Sequence, residues 1–118
     1  MTPDVDAILA VIHSCRFRHA NESDLQAGLA RALTDAGYEV QREVRLNARD
    51  RIDLLVARVG IEVKVAGVPR DVERQLGRYA RSDLVDALVL VTTRARHRPP
   101  DTMHGKPVRV ASLLGAAL

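Results

Sequence analysis

The sequence predicts one α/β domain, a central mixed sheet flanked by helices. Three observations carry this. Apolar residues recur at helical spacing in three segments and alternate or run unbroken in four others, in the order α-α-β-β-β-α-β with a weaker β-α tail. The 118 residues fit a single domain, 1–118, with no repeat, low-complexity tract or linker to divide them. Apolar residues make up 47% and charged residues 28%, which allows one core without disulfides. Aromatic content is 3%, so that core must be mostly Leu, Val, Ile and Ala.

The first helix is expected to start at Thr2-Pro3, with Thr as cap and Pro at the first helical position. Val5, Ile8, Leu9 and Ile12 form its apolar stripe, and Cys15 is expected in the core. The second helix begins at Asn21, whose side chain can cap it, with Asp24 in the position of a variant capping box. Leu25, Leu29 and Leu33 are its buried face, and Gly37 ends it. Tyr38 to Leu46 alternates as a strand. Arg51 to Val59 and Ile61 to Val65 follow as a hairpin turning at Gly60. Pro69 opens a helix to about Arg81. Ala87-Leu88-Val89-Leu90-Val91 reads as a strand buried on both faces. The longest loop-like stretch surrounds Pro99-Pro100-Asp101, Val108 to Val110 adds a short strand, and Ser112 is placed to cap a final helical turn.

Composition excludes several classes. Cys15 is the one cysteine, so neither an internal disulfide nor a paired-cysteine zinc site can form. No apolar run approaches the roughly 18 residues of a membrane span. Asp4 and Asp6 stand where a signal peptide would be basic, so a cytoplasmic setting, prokaryotic or viral-encoded, is expected. Net charge is +3, unevenly placed: residues 1–50 hold 6 basic against 8 acidic side chains, residues 51–118 hold 12 against 7. A basic half suits a phosphate-binding protein, though it also describes ordinary solvated surface.

The segment from Asp53 to Lys64 carries the chemistry. Strand alternation points Ile61, Val63 and Val65 one way and Glu62 and Lys64 the other. A hairpin brings Asp53 alongside. Two carboxylates and an amine then converge. Hard Mg²⁺ takes one or two carboxylates plus waters and substrate phosphate. A bound metal polarises a phosphate and acidifies water, and a lysine can orient that water or stabilise developing charge. The bland alternative is a solvated hairpin face of alternating charge.

Asp53 with Glu62-Val63-Lys64 resembles the PD-(D/E)XK, or restriction-endonuclease-like, nuclease superfamily, over Glu22 to about Val91. Ile52 stands where the motif has Pro. The resemblance implies an αβββαβ core, Mg²⁺ (or Mn²⁺) bound by Asp53 and Glu62, and Lys64 as the water-activating or water-positioning residue. It also implies a third acid on the first core helix. With Glu22 at zero, Leu25, Leu29 and Leu33 fall at about 300°, 340° and 20°, so Glu22 lies mid-stripe, while Asp24 near 200° faces solvent. Glu22 is therefore the metal-site candidate, its alternative being a dipole-complementing residue. Gln75 and Tyr79, four apart on the next helix, resemble a supporting motif of RecB-type nucleases. The alternative is an amide beside a packed Tyr.

Arg74, Arg78 and Arg81 form a basic stripe, as does Arg94, Arg96, His97 and Arg98. Of these, Arg74, Arg78, Arg94, Arg96 and Arg98 are the nucleic-acid-binding candidates; solvated surface is the alternative. The four histidines show no ligand spacing. Size and layout resemble Holliday-junction resolvases, enzymes of DNA recombination and repair, which implies DNA as substrate and a homodimer. Two other readings stay open: a restriction or defence nuclease, or nuclease module of a larger assembly, and a nucleic-acid-binding scaffold retaining a nuclease fold.

Overall fold

Ala87–Thr92 is buried at all six positions, as a strand covered on both faces requires. Around it, in a computed structural model that describes residues 4–17 and 21–113, the chain forms α1 (Val5–Ser14), α2 (Glu22–Asp35), β1 (Val40–Arg45), β2 (Arg51–Val56), β3 (Val59–Lys64), α3 (Pro69–Ala80), β4 (Ala87–Thr92), β5 (Thr102–Met103) and β6 (Lys106–Ser112). The six strands make one mixed sheet in the order β1-β2-β3-β4-β6-β5. β1, β2 and β3 form an antiparallel meander. β3 and β4 pair in parallel, as do β4 and β6.

Helices cover both faces. Ile8 and Ile12 of α1 and Leu25, Leu29 and Leu33 of α2 pack with Leu54, Ile61, Val63, Val89 and Val91 on one side. Val72, Leu76, Tyr79 and Ala80 of α3 pack with Leu88, Leu90 and Val108 on the other. Each fully buried aliphatic side chain contributes about 1.5–3 kcal/mol. No helix of the described residues is long and apolar enough to cross a membrane.

Several expectations are corrected. Asp4 caps α1, accepting from the N–H groups of Asp6 and Ala7; Thr2 and Pro3 lie outside the described residues. Asn21 caps α2 by accepting from the Asp24 N–H at 2.8 Å, but the Asp24 carboxylate accepts no reciprocal bond from the Asn21 N–H among the described residues. Gly37 does end α2: at φ +99° it lets Gly37 and Tyr38 donate back to Thr34 and Leu33. The β2–β3 turn is Ala57-Arg58, not Gly60. Arg58 is held there by Asp86. Gly60 lies inside β3, where an added Cβ would collide with Ile52 Cδ1 and meet Leu88 Cδ2 at 3.1 Å; close packing, not a turn, accounts for the glycine. A two-residue strand, β5, escaped prediction, and pairs with β6. Ser112 ends β6, paired with Thr92; the final helical turn it was expected to cap falls on residues 114–118, outside those described.

Candidate functional site

Regular pairing of β2 with β3 runs from Val56↔Val59 to Leu54↔Ile61 and stops short of Asp53. Side chains take over from the ladder there. The Val63 N–H donates to Asp53 Oδ2 at 2.8 Å, and the Asp53 N–H donates to Glu62 Oε1 at 3.3 Å. Each carboxylate thus satisfies a backbone donor that the parting strands would leave unpaired. Lys64 Nζ sits 3.4 Å from Glu62 Oε2. From α2, Glu22 Oε1 accepts the Val65 N–H at 3.1 Å, just past the end of β3.

Glu62, Asp53, Lys64, Glu22 and Gln75 line one open cleft of about 400 Å³. All five residues expected to form the site are therefore brought together, from α2, β2, β3 and α3.

Glu62 is 3% exposed. Burial, then the neighbouring Asp53 charge, push its pKa up to about 8, against the opposing pull of Lys64 and the Asp53 N–H. Asp53 is also raised, first by burial, with Glu43 and Glu22 adding to it, while the Val63 N–H and Lys64 oppose. Buried Glu62 and half-buried Asp53 both lean on the charge of Lys64, which does not fully compensate either carboxylate. It lacks a cage: among the described residues no three His, Cys, Asp or Glu side chains are grouped so as to hold a metal. Two hard oxygen ligands with room for water and phosphate remain the donor set that Asp53 and Glu62 offer, and that suits Mg²⁺.

Tyr79 takes a more direct place than its supporting role implied. Its hydroxyl accepts from Gln75 Nε2 at 2.7 Å, and its single proton faces the Arg51 carbonyl at 3.0 Å and Glu62 Oε2 at 3.3 Å. Gln75 therefore reaches Glu62 through Tyr79. Burial, then the Glu62 charge, raise the Tyr79 pKa, keeping it a neutral donor.

The basic candidates separate. Arg74, Arg96 and Arg98 are exposed, Arg98 bonding the local Ala95 carbonyl. Arg78 is committed to the buried Asp50 carboxylate at 3.0 Å. Burial works to raise Asp50, but the bonds from Arg78 and Asn47 and the charges of Arg78 and Arg49 lower it overall. Arg94 extends from the end of β4 to donate to the Val65 carbonyl at 2.7 Å, so Glu22 and Arg94 hold the Val65 peptide from both ends. His97 does not belong to a basic stripe. It is 2% exposed, with Nδ1 at 2.8 Å from Thr92 Oγ1 and Nε2 at 2.9 Å from the Gly67 carbonyl. A neutral ring with its proton on Nε2 satisfies both.

Five cleft residues escaped the sequence reading: Ser23, Gln26, Arg42, Glu43 and Arg51. Gln26 could have been found. It lies four residues after Glu22, about 40° away on the same apolar stripe, and a polar residue there asks for a partner. Arg42 and Arg51 carried no signal, since alternating charge on a strand is ordinary. Comparison with protein-family models, curated proteins and solved structures gave no match.

Proposed function

We propose that the chain is a Mg²⁺-dependent DNA endonuclease with a restriction-endonuclease-like core. One observation carries the reading: buried Glu62 and half-buried Asp53, from adjoining strands, lie with Lys64 in an open cleft, and burial together with repulsion from neighbouring carboxylates sets both against ionisation. Such a pair is costly unless a cation joins it. The αβββαβ order of α2 through β4 supports the same reading.

Bound Mg²⁺ would polarise the scissile phosphate and supply acidified water, with Mn²⁺ as its substitute. Asp53 and Glu62 would hold it, each carboxylate already oriented by a backbone N–H. Glu22, one oxygen engaged by the Val65 N–H, would complete the site directly or through water. Lys64 lies at Glu62 and positions the attacking water or steadies charge on phosphate. Water's oxygen bonds to phosphorus, the P–O bond to the leaving sugar oxygen breaks, and a proton passes to that oxygen. Tyr79 and Gln75 hold Glu62. Arg74, Arg94, Arg96 and Arg98 are the proposed backbone contacts. A homodimer would supply the second cut that one cleft cannot make on a duplex.

Plasmid and a synthetic four-way junction, each with Mg²⁺ and with EDTA, test this. Cleavage in Mg²⁺ alone is expected. Symmetric cuts confined to the junction would make the enzyme a resolvase, and absence of metal-dependent cleavage of either DNA would overturn the proposal. Gel filtration tests the dimer.

A further inference from the structure

The cleft has a second built feature where α2 meets β1. Gln26, one turn after Glu22 on α2, is a buried polar residue, 7% exposed. Its Oε1 accepts from Arg42 Nη2 at 3.0 Å. Arg42 can only donate, so that contact fixes which way the amide points. The Gln26 amide nitrogen then has no acceptor among the described residues. A buried donor without an acceptor is costly, and this one belongs to a residue lining the cleft. Arg42 is exposed, and no acidic group among the described residues pairs with it. Most of its five N–H groups are left to bind something else.

We propose that Arg42 and Gln26 form a second phosphate-binding position, holding the phosphodiester next to the one that is cut. The proposal rests on the nuclease reading and deepens it. A guanidinium fork with an adjoining amide N–H offers convergent donors to non-bridging phosphate oxygens, which a lone lysine does not. Its place gives it a function. Arg42 on β1 faces Leu54, the neighbour of Asp53, and strand order puts β1 outside the carboxylates. Arg94 stands beyond them on the β4 side, anchored on Val65. Guanidinium groups therefore flank the carboxylates in both directions. A strand bound across them continues past the cut on each side, which favours internal cleavage over trimming from an end.

The test compares wild type, Arg42→Ala, Arg42→Lys and Gln26→Ala. Anisotropy of a labelled DNA duplex in EDTA across a salt series gives affinity and salt slope. Initial rates on the same duplex in Mg²⁺ give KM and kcat. Arg42→Ala is expected to bind about tenfold more weakly, with a log–log salt slope shallower by about one. Its KM rises in step while kcat changes by less than about twofold. Arg42→Lys restores the slope but not the full affinity, and Gln26→Ala shows a smaller loss, about threefold. If wild type binds and cuts while Arg42→Ala matches it in affinity, slope and KM, this proposal is overturned and the nuclease reading stands. The proposal also falls if both alanine variants only lower the thermal midpoint, which would make the pair a clasp between α2 and β1. A wild type that neither binds nor cuts DNA overturns both.

Discussion

Glu62→Gln isolates the charge that the site resists. Glu62 is 3% exposed and its pKa is pushed up to about 8 by burial and by Asp53. The unfolded chain would titrate it near its ordinary value of 4.5. Between those values the folded protein holds a proton that the unfolded chain has released. Stability is therefore greatest below the unfolded pKa and falls as pH rises toward the folded one. Between pH 6 and pH 8 this one group should cost about 2 kcal/mol. Glutamine keeps the shape and an acceptor for the Asp53 N–H but carries no charge. At about 4 °C per kcal/mol for a domain of this size, wild type should lose about 8 °C of melting temperature relative to Glu62→Gln across that window. Circular-dichroism melts in EDTA at both pH values read it. Parallel pH profiles for the two proteins would refute the idea that Glu62 is held against ionisation.

Three further outcomes follow. Asp53→Asn removes one of the two proposed ligands, so saturating Mg²⁺ should raise the wild-type melting temperature at pH 8 but leave the variant unmoved within error; an equal rise in both would remove Asp53 from the metal site. Gly60→Ala places a Cβ against Ile52 and Leu88, and should cost about 1–3 kcal/mol in urea melts; a variant as stable as wild type would show that the sheet gives way there. Arg78→Ala leaves the buried Asp50 carboxylate without its partner and should lose about 1–2 kcal/mol, with no change in the salt slope of DNA binding; a shallower slope would return Arg78 to the DNA-contact group.

The site was legible where one periodicity governed it. Period-two alternation placed Glu62 and Lys64 opposite Ile61 and Val63, and the 3.6-residue period placed Glu22 on the stripe that meets β3. What escaped depended on partners remote in sequence. Gly60 looked like a turn because its real reason, the nearness of Ile52 and Leu88, is a packing fact. β5 is two residues long and takes its identity from pairing with β6, Met103↔Lys106 and Thr102↔Pro107. His97 sits among arginines in sequence, yet its ring is drawn inward by Thr92 and Gly67. Arg42 gains meaning only when α2 brings Gln26 beside it.

Metal-dependent phosphodiester cleavage at Asp53, Glu62 and Lys64 stands or falls with the nicking of supercoiled plasmid. Wild type in Mg²⁺ should convert supercoiled plasmid to nicked or linear forms. Removing the lysine ammonium in Lys64→Ala should slow this by at least about 100-fold, with the circular-dichroism spectrum unchanged. Cleavage by Lys64→Ala at the wild-type rate would contradict the proposed chemistry.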